Sequence, residues 1–170
     1  MQSMSSLIDE TIQTVRRIAT ELRPSILDDL GLISAIEWQT QEFQHRTGIG
    51  CSFTTTTRDI ALDQERATAI FRILQEALTN VVRHAEATHV KVRFENQTDE
   101  IVLDVTDNGK GFANPNDIIN SSSLGILGMK ERAMLLGGAV TITGAVRRGA
   151  TVVVRIPHGQ SPHPPGDHYD

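Results

Sequence analysis

Cysteine occurs once in this chain of 170 residues, at Cys51, so neither an internal disulfide framework nor a cysteine-cluster zinc site is available. Aromatic residues make up only 4%, which leaves the core to aliphatic side chains. No apolar run approaches the roughly 18–20 residues of a bilayer-spanning helix, and the amino terminus lacks a secretory-signal pattern. Positive charge is also short. With 16 Lys+Arg against 21 Asp+Glu the formal net charge is −5, which offers no field to attract nucleic acid or anionic lipid. What is present, 39% hydrophobic and 22% charged residues, fits a globular fold and not a disordered chain. The length holds one ordinary domain with one or two accessory helices. The expectation is a cytoplasmic globular domain, and composition alone names no chemistry.

The chain opens on a helical pattern too narrow for a globular core. In residues 3–23 the apolar positions Ile8, Ile12, Val15, Ala19 and Leu22 repeat at spacings of 4, 3, 4 and 3, the seam of a coiled coil or helical bundle. Such a helix needs partners, so residues 1–24 read as one helix of an intermolecular bundle that completes a homodimer. A helix folded back on its own domain is the alternative. Pro24 ends or bends it. A second helix is expected from about Asp29 to Arg46, closed by Thr47-Gly48, and then a threonine-rich strand over Cys51–Thr57. Asp63 is placed to cap a long helix reaching about His84, with Ala67, Ile70, Phe71, Leu74, Leu78 and Val81 as its apolar stripe.

Alternation then marks strands at 89–95 and 100–106, joined through a turn at Asn96–Asp99. Residues 108–123 read as a long loop, and a short helix is expected over Gly128–Leu136, stopped by Gly137-Gly138. Strands at 139–143 and 150–156 close the domain at 157, and 158–170 reads as a disordered tail. Helices segregated on one face of a mixed, mostly antiparallel sheet make an α/β two-layer sandwich, preceded by a bundle helix.

Three constellations carry chemistry. Glu76, Asn80 and Arg83 stand at i, i+4 and i+7 of the long helix and form one polar stripe. An acid, an amide and a cation in that order can hold a hydrated Mg²⁺ against a polyphosphate, although a plain solvated helix face shows the same pattern. Next, Asp107-Asn108-Gly109-Lys110-Gly111-Phe112 directly follows a strand. A carboxylate fixed there can accept from the exocyclic amino group of adenine, while the glycines admit a ligand closely; a common tight turn is the other reading. Last, Gly125-Ile126-Leu127-Gly128-Met129 leads into the short helix, whose free N–H groups make an anion site or an ordinary loop-to-helix junction.

Taken together and in order, these segments resemble a known family. QEALTNVVRHA resembles the N box, DVTDNGKGF the G1 box and LGILGMKERAMLLGG the G2 box of sensor histidine kinases. LRPSILDDLGLISAIEW is similar to the stretch linking dimerisation and catalytic domains in the nitrate/nitrite- and membrane-fluidity-sensor kinases. The resemblance covers roughly residues 7–157. It implies the GHKL (Bergerat-type) ATP-binding fold, with ATP and Mg²⁺ as cofactors. It also implies transfer of the γ-phosphoryl to a histidine, then relay to an aspartate of a response regulator. On this resemblance Asn80 falls as the Mg²⁺ ligand, Glu76 as its catalytic acid partner, and Arg83 as a phosphate contact with His84 beside it. Asp107 reads adenine, Gly109 and Gly111 keep the pocket open, and Gly125, Ile126, Gly128 and Met129 flank the phosphates.

The sequence departs from the family pattern at three places. Ser123 stands where the G2 box usually has a further glycine. Ala150 stands where a threonine hydroxyl usually supports the adenine-binding aspartate, so that hydroxyl is either missing or supplied by Thr151. The phosphoacceptor helix should precede the seam helix, and none of the six histidines has its context; His158, His163 and His168 sit in the tail. The chain is therefore expected to bind Mg-ATP without phosphorylating itself. Two other readings remain, an anti-sigma-factor-type serine kinase and a degenerate GHKL module used for docking or dimerisation.

Overall fold

The computed structural model describes residues 25–58, 60–112 and 124–158. The seam helix at 3–23, Pro24, Ser123 and the tail beyond 158 lie outside them. In chain order the elements are α1 (Ser25–Thr47), β1 (Gly50–Thr55), α2 (Gln64–Asn80), a π turn (Val81–Ala85), β2 (His89–Asn96), β3 (Glu100–Asp107), α3 (Leu124–Leu135), β4 (Ala139–Gly144) and β5 (Ala150–Pro157).

The five strands form one sheet in the order β1-β2-β3-β5-β4. β1 and β2 are parallel, joined by a crossover through α2, and every other junction is antiparallel. Alternation does the sorting. Val90, Val92 and Phe94 of β2, Leu103 and Val105 of β3, and Val154 and Ile156 of β5 turn to one face, where all are buried. The helices cover that face. Ile70, Phe71, Leu74 and Leu78 of α2, Ile36 and Phe43 of α1, and Met129 and Ala133 of α3 complete a single core. Cys51 is half-buried against this core, and burial pushes its thiol up to about 11, so at neutral pH it serves as an apolar side chain.

Several boundaries differ from the sequence expectation, each for a local reason. α1 begins at Ser25 and not Asp29, because a first helical stretch is joined to the rest through Gly31, whose φ of 75° and ψ of 170° break the helix. Leu27 before the break and Leu32 after it are both buried, so both halves are seated on the domain. β1 stops at Thr55, where the Thr55 hydroxyl exchanges hydrogen bonds with the backbone of Thr57 in a local turn. α2 starts as expected: Asp63 is extended and its side chain accepts from the Arg66 N–H at 2.9 Å. Its α-helical hydrogen bonding ends at Asn80, and Val81–Ala85 continue as a π turn that closes on Glu86 in the left-handed region. α3 begins at Leu124, not Gly128, so Gly125 lies in its first turn and Gly128 in its second.

Candidate active site

Four parts of the chain surround a cleft of about 770 Å³ on the helical side of the sheet: the α2–π turn junction, the loop after β3, α3, and the β4–β5 turn. Asp107 ends β3 on the same face as Val105, and both line the cleft. Its carboxylate is buried, with 7% exposure, and Oδ1 accepts from the Gly109 N–H at 2.7 Å. That bond fixes the carboxylate through the backbone. The next residue anchors the loop. Asn108 Oδ1 accepts from the N–H groups of Thr88 and His89, each at 2.9 Å, and its Nδ2 donates to the Thr88 hydroxyl.

The loop is clamped on both sides. Lys110 N–H donates to Ala85 O and Arg147 N–H donates to Lys110 O, both at 2.8 Å. Gly109 sits so near the π turn that a Cβ would meet Ala85 O at 2.1 Å. Gly149, at φ 75°, crosses the loop so closely that a Cβ would meet Asp107 O at 1.8 Å. At the rim, Lys110 Nζ donates to Glu86 Oε1 at 2.8 Å, and this bond and charge hold the Glu86 carboxyl below its ordinary range.

Of the residues singled out from the sequence, Asn80, Arg83, His84, Asp107, Gly111, Ile126 and Met129 line the cleft. Glu76, Gly109, Gly125 and Gly128 do not. Gly109 acts one step behind the wall by positioning Asp107. Glu76 is half-buried outside the cleft lining: Gly125 lies against it, and a Cβ there would meet Oε1 at 1.9 Å. The stripe through Glu76, Asn80 and Arg83 assumed 3.6 residues per turn; the wider π turn turns Arg83 and His84 out of that line, onto the cleft wall beside Asn80. Gly128 faces Arg132 on its own helix, with its N–H inside the second turn and not at a free helix start.

Thr151 is a correction. Strand alternation puts Ala150 and Val152 on the cleft wall and Thr151 on the opposite sheet face, where its hydroxyl pairs with that of Thr106 at 3.0 Å. The hydroxyl is therefore absent beside Asp107 and is not supplied by its neighbour. Sequence reasoning also passed over Lys110, Phe112 and Val146, which line the cleft. Lys110 and Phe112 lie inside the segment already quoted, so position in that segment was a signal. Val146 reaches the cleft only because the β4–β5 turn folds onto Gly111, and nothing local announces it.

Among the described residues no three His, Cys, Asp or Glu side chains converge on a metal position. Mg²⁺ does not require such a cage, since it is commonly held by one or two protein oxygens plus phosphates and water. Asn80 fits that role. It stands at the cleft and makes no side-chain capping bond to the π turn, so its amide oxygen is not committed there.

The chain was compared with known proteins. Residues 65–160 match the family described as histidine kinase-, DNA gyrase B-, and HSP90-like ATPase. It is 37% identical over 154 residues to the oxygen sensor histidine kinase NreB of Staphylococcus carnosus, covering 91% of this chain and 43% of that protein. It is 34% identical over 157 residues to the signal transduction histidine-protein kinase/phosphatase DegS of Brevibacillus brevis, covering 92% and 40%. The chain thus spans less than half the length of these relatives. Among solved structures, the blue-light activated histidine kinase EL346 of Erythrobacter litoralis superposes with a TM-score of 0.76 at 22% identity, over 94% of this chain and 53% of that one. The histidine kinase domain of the same protein gives 0.63 at 24% identity, over 74% and 60%. Fold, matched segment and sequence relatives agree: the chain belongs to the histidine kinase-, DNA gyrase B-, and HSP90-like ATPase family.

Proposed function

We propose that this chain is the ATP-binding catalytic part of a sensor histidine kinase, residues 25–157, with residues 1–24 contributing one helix of the dimerisation bundle. The observation that carries this reading is the convergence of Asp107, Asn80, Arg83 and His84 on one cleft of the family fold. A response regulator and a phosphoacceptor histidine on a preceding helix are the partners that this reading requires. The names of the two sequence relatives favour it over a serine kinase or a non-catalytic module.

The buried Asp107 carboxylate accepts from the adenine amino group, with the apolar walls of Val105, Ile142 and Val152 excluding water around the base. Asn80 offers its amide oxygen to Mg²⁺, and Arg83 and His84 lie beside it at the phosphate end. Bound there, the cation would neutralise charge on the phosphates as the γ-phosphoryl leaves. Glu76 lies beneath the first turn of α3 and would act on that chemistry only after Gly125 moves off it.

Labelling a longer natural form containing the preceding helix with radioactive ATP tests the reading. Acid-labile, base-stable protein phosphate is the expected result. Acid-stable phosphate overturns it in favour of a hydroxyl acceptor.

A further inference from the structure

The β2–β3 ladder ends on Asp107, and a side chain decides that it ends there. The last paired residues are Val90 and Asp107. One step further Asn108 stands opposite His89, and its N–H still donates to His89 O at 3.1 Å. A continued antiparallel strand would return the second bond of that pair from the His89 N–H to the Asn108 carbonyl. Here the His89 N–H goes to Asn108 Oδ1 at 2.9 Å, and the Thr88 N–H reaches the same oxygen at 2.9 Å. Nδ2 donates to the Thr88 hydroxyl at 2.9 Å, which completes the anchor. The side-chain amide thus stands in for the main chain in the ladder and releases the backbone of residue 108 to turn. That turn brings the Gly109 N–H back to Asp107 Oδ1 at 2.7 Å. An extended chain carries the N–H of residue i+2 away from the side chain of residue i, so the strand could not run on and keep that bond. Asn108 itself is exposed and does not line the cleft, so it bears on a ligand only through Asp107.

We propose that Asn108 is a positioning residue for base recognition: by ending the β2–β3 ladder at Asp107, it fixes the direction in which the buried carboxylate meets the amino group of the base. This rests on the reading of Asp107 as the adenine acceptor. A positioning role differs from a merely structural one in what it costs. Loss of packing weakens every nucleotide alike, whereas a misdirected carboxylate costs only the ligand that offers it a hydrogen.

Titration calorimetry on the full chain compares ATP with the triphosphate of purine riboside, which differs only in lacking the 6-amino group. The parent should prefer ATP by about tenfold or more, the worth of one charge-assisted bond. Asn108→Ala should remove most of that preference, by weakening ATP while the analogue keeps its affinity. Asn108→Asp keeps an oxygen for the Thr88 and His89 N–H groups and can take its third bond from the Thr88 hydroxyl, so it should restore the preference. The added charge bears equally on two triphosphates and cancels in the ratio. Asn108→Gln sets the amide one methylene too far out and should lose the preference too, which keeps the test decisive if the alanine variant does not fold. Alanine and glutamine variants that retain the parent's preference, or an aspartate variant that fails to restore it, would overturn the proposal and leave the reading of Asp107 standing. A parent with no preference overturns that reading, and the proposal with it.

Discussion

The Asp107 carboxylate is held by the backbone N–H of Gly109, two residues ahead, and the Cα of that glycine is itself packed against the π turn. An asparagine at this position can still accept from Gly109, so the turn should survive its introduction. On the proposed function the interaction lost is the charge-assisted bond to adenine, about 1.5–3 kcal/mol. Asp107→Asn should therefore weaken ATP binding about ten- to hundredfold by titration calorimetry, with little change in the thermal midpoint of the free chain. Unaltered affinity would remove Asp107 from base recognition. The same scale exposes what a threonine-for-alanine difference does. Ala150 faces the cleft and Thr151 faces away, so among the described residues the support of Asp107 comes from the Gly109 backbone.

At the scale of elements, the α2 start is the best-defined junction. Burial is the largest single influence on Asp63 and disfavours its charge, but the Arg66 N–H, the Arg66 side chain and its charge, and the Glu65 N–H together outweigh it and lower the Asp63 pKa. A carboxyl depressed in the folded state contributes stability above its unfolded pKa and loses it as pH falls through the folded value. Asp63→Ala should accordingly cost about 1 kcal/mol at neutral pH. The gap between variant and parent should then narrow on acidification below about pH 4, the ordinary aspartate pKa. Denaturant unfolding at several pH values checks this, and a gap independent of pH would leave only the cap geometry.

How far these elements were legible depended on the kind of signal. β2 and β3 were read to within a residue at each end because alternation in Val90-Lys91-Val92-Arg93-Phe94 is local and unambiguous. The π turn was not legible: Val81 continues the apolar stripe, so the sequence looks like an uninterrupted α-helix while the backbone widens beneath it. The start of α3 was misplaced because Gly125 and Gly128 interrupt its apolar run and read as loop, a signal given more weight than the capping-type Ser123 that precedes it in the sequence. The face of Thr151 was legible in principle, since Val152, Val154 and Ile156 already assign its strand neighbours to the core side.

Across the whole molecule, one sheet face carries the helices and the core, and the cleft opens on that same side. No helix among the described residues is long and apolar enough to cross a membrane. A ligand that bridges α2, the β3 loop and the β4–β5 turn must couple to global unfolding, because those elements share the core. Mg-ATP at a hundredfold excess over its Kd should stabilise the chain by about 2.7 kcal/mol, seen as a raised thermal midpoint that falls when Mg²⁺ is chelated. No shift with any nucleotide would separate this cleft from ATP.

The break at Gly31 determines how mechanical load enters the domain. A continuous helix would carry tension or torque along its axis into residues 32–47. Here the backbone turns a corner, and the stretch before it is fastened by Leu27 seated in the core. A pull from the amino-terminal side meets that leucine first, and lifting one such side chain costs about 1.5–3 kcal/mol. The joint is built less like a drive shaft than like a peg in a socket: a corner at Gly31 with Leu27 seated beyond it.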